Sequence, residues 1–177
     1  SYPEIKDTFA KASEVLGLDL WALVTDGPAE ELNHTHNPQP AMLAAGVALW
    51  KVWCAHSDVR PAYMAGHSLG EYTVLVCSGV LDFADAIALV AARGRFMQEA
   101  VPEGVGAMAA VLGLTDAQVI QVCSDAAQGE VCSAVNFNSP GQVVIAGNSA
   151  AIDRAMLAAK DAGAKRALKL PVSVPSH

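Results

Sequence analysis

Ala62-Tyr63-Met64-Ala65-Gly66-His67-Ser68-Leu69-Gly70-Glu71-Tyr72 is the stretch on which the fold turns. A short apolar run after Pro61 ends in Gly66-His67-Ser68-Leu69-Gly70, and the residues from Glu71 to Ser78 have helical character. Strand, sharp turn and helix in that order match the G-x-S-x-G nucleophile elbow. There, glycines on both flanks relieve crowding so that a strained turn can expose the serine hydroxyl. A glycine-rich turn closed by a capping serine would satisfy the same spacing.

Around this turn lie 177 residues, 53% hydrophobic and 16% charged, a composition far from that of disordered chains. Trading the 3 Tyr for the 14 Gly lifts the apolar share to about 59%, above the usual ~45–50%. A membrane span does not account for the surplus. The best apolar stretch, Ala41 to Val52, is short and carries Lys51, and no run of ~18 apolar residues occurs. The opening Ser1-Tyr2-Pro3-Glu4-Ile5-Lys6-Asp7 lacks the pattern of a signal peptide. Cys54, Cys77, Cys123 and Cys132 form no C-x-x-C pair, which points to reduced cysteines of a cytoplasmic protein and to no metal site. Eleven basic against eighteen acidic residues give a net charge of −7, which argues against nucleic acid as a partner.

Pro3 to Leu16 reads as an amphipathic helix stopped by Gly17, Asn33 to Gln39 as a polar loop, Pro40 to His56 as a helix, and Phe83 to Ala100 as another. From Gly106 the rhythm changes. Strands over 107–112, 131–137, 142–146 and 165–170 alternate with helices over 115–127 and 149–162, a β-α-β-β-α-β order expected of a ferredoxin-like subdomain. The expected fold is an α/β-hydrolase-like core with a parallel sheet and nucleophile elbow. Residues 1–103 and 174–177 are assigned to that core, incomplete as it stands, and 104–173 to the inserted subdomain.

If Ser68 is the nucleophile, five histidines compete to be its base. His67 is its immediate neighbour, and successive side chains diverge. His34 and His36 sit in the polar loop and His56 at a helix end, positions typical of solvated surface histidines. His177 follows the extended approach Pro171-Val172-Ser173-Val174-Pro175-Ser176, a credible delivery route. On the helix after the elbow, the stripe Phe83, Ile87, Val90, Gly94 and Met97 puts Arg93 on its flank and Arg95 nearer solvent. A flank arginine needs an anion, which either a substrate carboxylate or a protein carboxylate could supply.

Four segments in order, Gly66-His67-Ser68-Leu69-Gly70-Glu71-Tyr72, Arg93-Gly94-Arg95-Phe96-Met97-Gln98-Glu99-Ala100, Val135-Asn136-Phe137-Asn138-Ser139-Pro140-Gly141-Gln142 and Pro171-Val172-Ser173-Val174-Pro175-Ser176-His177, resemble the bacterial malonyl-CoA:acyl carrier protein transacylases. The resemblance implies that Ser68 carries the malonyl group, that His177 activates it, and that Arg93 clamps the free carboxylate. It further implies that the Leu69 N–H forms half of the oxyanion hole and that Met97 lines the acyl pocket. The implied reaction is ping-pong transfer of the malonyl group from malonyl-CoA to the phosphopantetheine thiol of acyl carrier protein, in fatty acid biosynthesis. No cofactor is implied, and a monomer is expected. Because acyl carrier protein is acidic, Lys160, Lys165, Arg166 and Lys169 are candidates for its docking face.

The family's opening strand and its Gly-Gln-Gly-Ser-Gln segment, whose first Gln gives the second oxyanion N–H, are absent from these residues, as is the family's part beyond the catalytic histidine. Loss of one oxyanion donor costs ~10²–10³ in rate, so the 177 residues by themselves are expected to be a fragment with little or no activity. Two rivals remain. A serine esterase of the α/β-hydrolase type would need Asp153 or Asp161 as third member, and both fall on a subdomain helix. A non-catalytic carrier-protein-binding module would keep the fold without the chemistry.

Overall fold

The helix expected over Pro3–Leu16 forms over those residues (α1), with Pro3 in its first turn and Gly17 closing it at φ 67, where its N–H donates to the Ser13 carbonyl at 2.9 Å. The computed structural model describes residues 2–33, 37–102, 104–172 and 174–177. His34 and His36 lie outside the described residues, as do Glu103 and Ser173 at the expected subdomain boundaries. The chain divides into two compact units, Ser1–Phe96 and Met97–His177.

The first unit continues with α2 (Leu20–Asp26) and α3 (Ala29–Asn33), neither expected from sequence. Both are too short to show periodicity. α2 stands because Asp19 Oδ1 accepts the Ala22 N–H at 2.9 Å and because Leu20 and Leu23 are buried. α4 (Pro38–His56) starts two residues before the expected Pro40. Gln39 therefore stands in a first helical turn and not in the polar loop drawn over it. α5 (Leu69–Cys77) follows the Gly66–Ser68 turn, and α6 (Phe83–Glu99) begins after Asp82. Asp82 Oδ1 accepts the N–H groups of Ala84 (2.7 Å) and Asp85 (3.3 Å), and these bonds hold its carboxyl below the usual carboxylate range. Phe9, Leu20, Leu43, Val47, Leu69, Ile87 and Val90 make one apolar core under these helices.

Two expectations for this unit are not met. Residues 62–65 form no strand, and no parallel sheet occurs among the described residues of the unit. An apolar run becomes a strand only when a neighbouring backbone takes up its N–H and C=O groups. Here none does, and Tyr63 is 94% exposed.

The second unit runs β1 (Gly106–Leu112), α7 (Asp116–Ala127), β2 (Cys132–Ser139), β3 (Gln142–Asn148), α8 (Ser149–Asp161) and β4 (Arg166–Lys169). Its four strands form an antiparallel sheet in the order β2-β3-β1-β4, with Ala109 opposite Ile145 and Lys169. Alternation along the central strands sends Ala109, Val111, Val143 and Ile145 toward Val119, Cys123, Ile152 and Ala155 of the two helices. Met108, Val144 and Ala146 face the other way, with Val135 and Leu170. Thr115 and Gln118 close a reciprocal capping box on α7. Gly147 admits no side chain, since a Cβ there would lie 2.0 Å from the Val131 carbonyl oxygen. Val174 is buried, and a Cβ at Gly106 would lie 2.4 Å from Pro175 Cγ, so the closing residues seat on the start of β1.

Cys54, Cys77, Cys123 and Cys132 are free thiols. Burial, with the neighbouring Cys132, pushes the Cys123 thiol up to about 12, and burial also raises Cys77 and Cys132. A thiol raised this far stays protonated at pH 8, so iodoacetamide in the native protein should label Cys123 last; mass spectrometry of the labelled peptides reads the order. Ile145 is fully buried in β3 and Ile120 is 52% exposed on α7. Ile145→Ala is expected to destabilise by about 2–5 kcal/mol and Ile120→Ala by less than about 1 kcal/mol in urea denaturation.

Candidate active site

Ser68 occupies φ 52, ψ −110, a region that non-glycine residues rarely adopt, immediately before α5. The turn closes through Gly70 N–H to the His67 carbonyl at 2.8 Å and Glu71 N–H to the Ser68 carbonyl at 3.3 Å. Gly66 makes this possible. A Cβ there would lie 2.0 Å from the Gly70 carbonyl carbon and 2.3 Å from the Glu71 nitrogen, so only glycine fits. Gly70 differs from the expectation that both glycines relieve crowding: a Cβ there would meet nothing within 4 Å. The constraint lies on one flank.

Leu69 is buried, and its N–H, first in α5, has no carbonyl within the helix to take it. That donor and the positive end of the helix lie beside the serine. α4 passes close to α5 because Gly46 has no side chain; a Cβ there would come 2.7 Å from Thr73 Cγ2.

Arg93 is half-buried on α6 and Arg95 is exposed. Arg93 Nη2 donates to Ser68 Oγ at 3.0 Å, Nη1 donates to Gln39 Oε1, and the guanidinium lies 5.6 Å from the centre of the Tyr72 ring. The site residues of the first unit thus come from the first turn of α4 (Gln39), the elbow (Ser68, Leu69), α5 (Tyr72) and α6 (Arg93). Gln39 and Tyr72 were not singled out as site residues from sequence. The signal for Gln39 was its setting between Pro38 and Pro40, which reads as a rigid helix start and not as a loop.

Met97 and His177 belong to the second unit. Met97 is half-buried near the end of α6. His177 is exposed and borders a cavity of about 380 Å³ with Val105, Gly106, Ala146, Asn148 and Pro175. His67 is exposed, as is His56, whose ring stands edge-on to Tyr2 at 5.2 Å. Asp153, one of the residues a hydrolase triad would use, pairs with Lys169 at 2.9 Å. Among the described residues no group of three or more His, Cys, Asp or Glu could hold a metal ion, and no helix is long and apolar enough to cross a membrane.

Residues 5–177 match the family described as acyl transferase domain. The chain is 66% identical over 177 residues to the malonyl CoA-acyl carrier protein transacylase of Escherichia coli O157:H7, covering all of this chain and 57% of the relative. It is 45% identical to the Bacillus subtilis (strain 168) protein of that name, covering 99% of this chain and 55% of that one. The crystal structure of an acyl carrier protein S-malonyltransferase from Vibrio cholerae superposes with a TM-score of 0.97 at 63% identity, over 100% of this chain and 58% of that one. A malonyl-transacylase in complex with its type II PKS acyl-carrier protein gives a TM-score of 0.98 at 60% identity, over 99% and 57%. The chain therefore spans a little over half the length of the relatives it matches.

The Gly66–Gly70 contrast predicts that Gly66→Ala lowers stability by more than about 2 kcal/mol, because backbone must move, while Gly70→Ala changes it by less than about 1 kcal/mol. Thermal denaturation of the two variants side by side measures it.

Proposed function

The chain belongs to the acyl transferase domain family, and from that premise we propose that it carries the malonyl-loading centre of a malonyl-CoA:acyl carrier protein transacylase of fatty acid biosynthesis. The observation that carries the reading is the 3.0 Å contact of Arg93 Nη2 with Ser68 Oγ. In a malonyl ester a single methylene separates the acyl carbon from the carboxylate. A cation meant for that carboxylate must therefore stand next to the nucleophile, as Arg93 does, and it would pair bidentately.

His177 is the base in this reading. It takes the Ser68 proton as Oγ attacks the thioester carbonyl of malonyl-CoA, the Leu69 N–H receives the developing oxyanion, and the CoA sulfur leaves with the proton. The phosphopantetheine thiol of acyl carrier protein then attacks the Ser68 ester. Its proton passes to His177 and back to Oγ as the product thioester departs. Met97 lines the acyl pocket. Acetyl-CoA offers Arg93 no carboxylate and would leave the guanidinium unmatched. The steps call on no cofactor of the protein's own.

The wider assignments belong to the same proposal. The β2-β3-β1-β4 order supports a ferredoxin-like subdomain over 104–173. The core over 1–103 and 174–177 is read as α/β-hydrolase-like on the strength of the elbow turn at Ser68 before α5. Lys160, Lys165 and Arg166 are exposed and suit an acidic carrier protein, whereas Lys169 is engaged by Asp153. Free thiols agree with a cytoplasmic setting.

The test uses the protein at its natural length. Brief exposure to malonyl-CoA should leave a malonyl ester on Ser68, found by peptide mass spectrometry and absent from Ser68→Ala; no ester on the wild-type serine rejects the reading. Arg93→Ala should reduce the preference for malonyl over acetyl loading by about tenfold or more. An unchanged preference removes Arg93 from the role of clamp.

A further inference from the structure

Gln39 stands where a half-buried arginine would ordinarily meet a carboxylate. Its Oε1 accepts from Arg93 Nη1 while Nη2 points to Ser68 Oγ, and the third neighbour is the ring of Tyr72. These three partners, the ones found among the described residues, are electrically neutral. The ion pairs among the described residues are Arg154 with Glu130 and Lys169 with Asp153, and neither involves Arg93. A glutamate at position 39 would have nearly the same shape and would accept the same hydrogen bond more strongly. It would also cancel the charge.

We infer that Gln39 is the positioning residue of Arg93 and a determinant of acyl specificity: a neutral acceptor fixes one edge of the guanidinium and leaves its positive charge for the carboxylate of the acyl group on Ser68. The inference rests on the proposed roles of Ser68 and Arg93. The backbone at position 39 suits the task. Pro38 and Pro40 flank it in the first turn of α4, and each fixes its own φ. Pro40 is fully buried, and the Asn37 amide before them donates to the Glu31 carbonyl at 2.7 Å. Gln39 thus projects from a rigid point, so its hold on Arg93 sets where the guanidinium lies relative to Ser68 Oγ. The other choice, a carboxylate acceptor, would aim the arginine equally well but make it an internal ion pair with little attraction left for an anionic substrate.

Loading of Ser68 from malonyl-CoA and from acetyl-CoA, followed by intact mass in the natural-length protein, separates the two effects of the residue. Gln39→Glu should lower the malonyl-to-acetyl ratio about tenfold or more, through a rise in KM for malonyl-CoA. Gln39→Met, which is neutral but accepts no strong hydrogen bond, should slow loading and keep the ratio within about threefold of wild type. A wild-type ratio in Gln39→Glu overturns the inference while the proposed function stands, as does an equal loss of both acyl groups in the two variants, which marks a role in folding alone. If the wild-type serine takes up no malonyl group, both readings fall together.

Discussion

The backbone at Ser68 is held at φ 52, and the geometry of the first unit serves that one strained residue. A non-glycine residue in such a region costs about 1–3 kcal/mol and persists only where its surroundings leave it no alternative. Here they are the absence of a side chain at Gly66, the bonds from Gly70 and Glu71 back to His67 and Ser68, and the burial of Leu69 in the common core. Leu69 anchors the first turn of α5 in that core. Because α4 lies against α5 at Gly46 and Thr73, the helix that bears Gln39 is tied to the same anchor. Strain, helix packing and the placing of the guanidinium are thus one arrangement.

Much of this was legible in the sequence wherever a residue's own chemistry decides its backbone. Pro3 and Gly17 bracket α1, Thr115 caps α7, and the spacing of Phe83, Ile87, Val90 and Gly94 sets the buried side of α6 and with it the half-buried position of Arg93. The order of elements after Gly106 was readable because the central strands β1 and β3 are short apolar runs and glycines or helix caps punctuate the segment. What could not be read depends on partners. α2 owes its existence to the Asp19 cap and two buried leucines, too little for a periodic pattern. Residues 62–65 have the composition of a strand, yet strand character is a property of a pair of backbones, and composition says nothing about a neighbour. Gln39 was hidden for a related reason: its partner Arg93 lies 54 residues away, on another helix.

The apolar surplus of the composition also finds a location. Trp53, Val59, Tyr63 and Leu49 are exposed on the first unit and line one depression with Pro61, Met64 and Ala65. Single exposed apolar side chains need no explanation, but a group of large ones beside residues 62–65, which pair with no strand among the described residues, does. In the second unit both faces of the sheet carry buried apolar residues, while Val131, Phe137, Leu157 and Leu168 are exposed.

The seating of Pro175 on Gly106 has a consequence for precision. Gly106 opens β1, whose place in the sheet is set by its pairing with β3 from Gly106 opposite Asn148 to Leu112 opposite Gln142. A slip of that ladder by one residue would carry the seat about 3.3 Å along the strand and turn it to the opposite face. His177 stands two residues beyond Pro175 and borders the same cavity as Gly106. The place of Pro175 is thus tied to the register of the β1–β3 ladder.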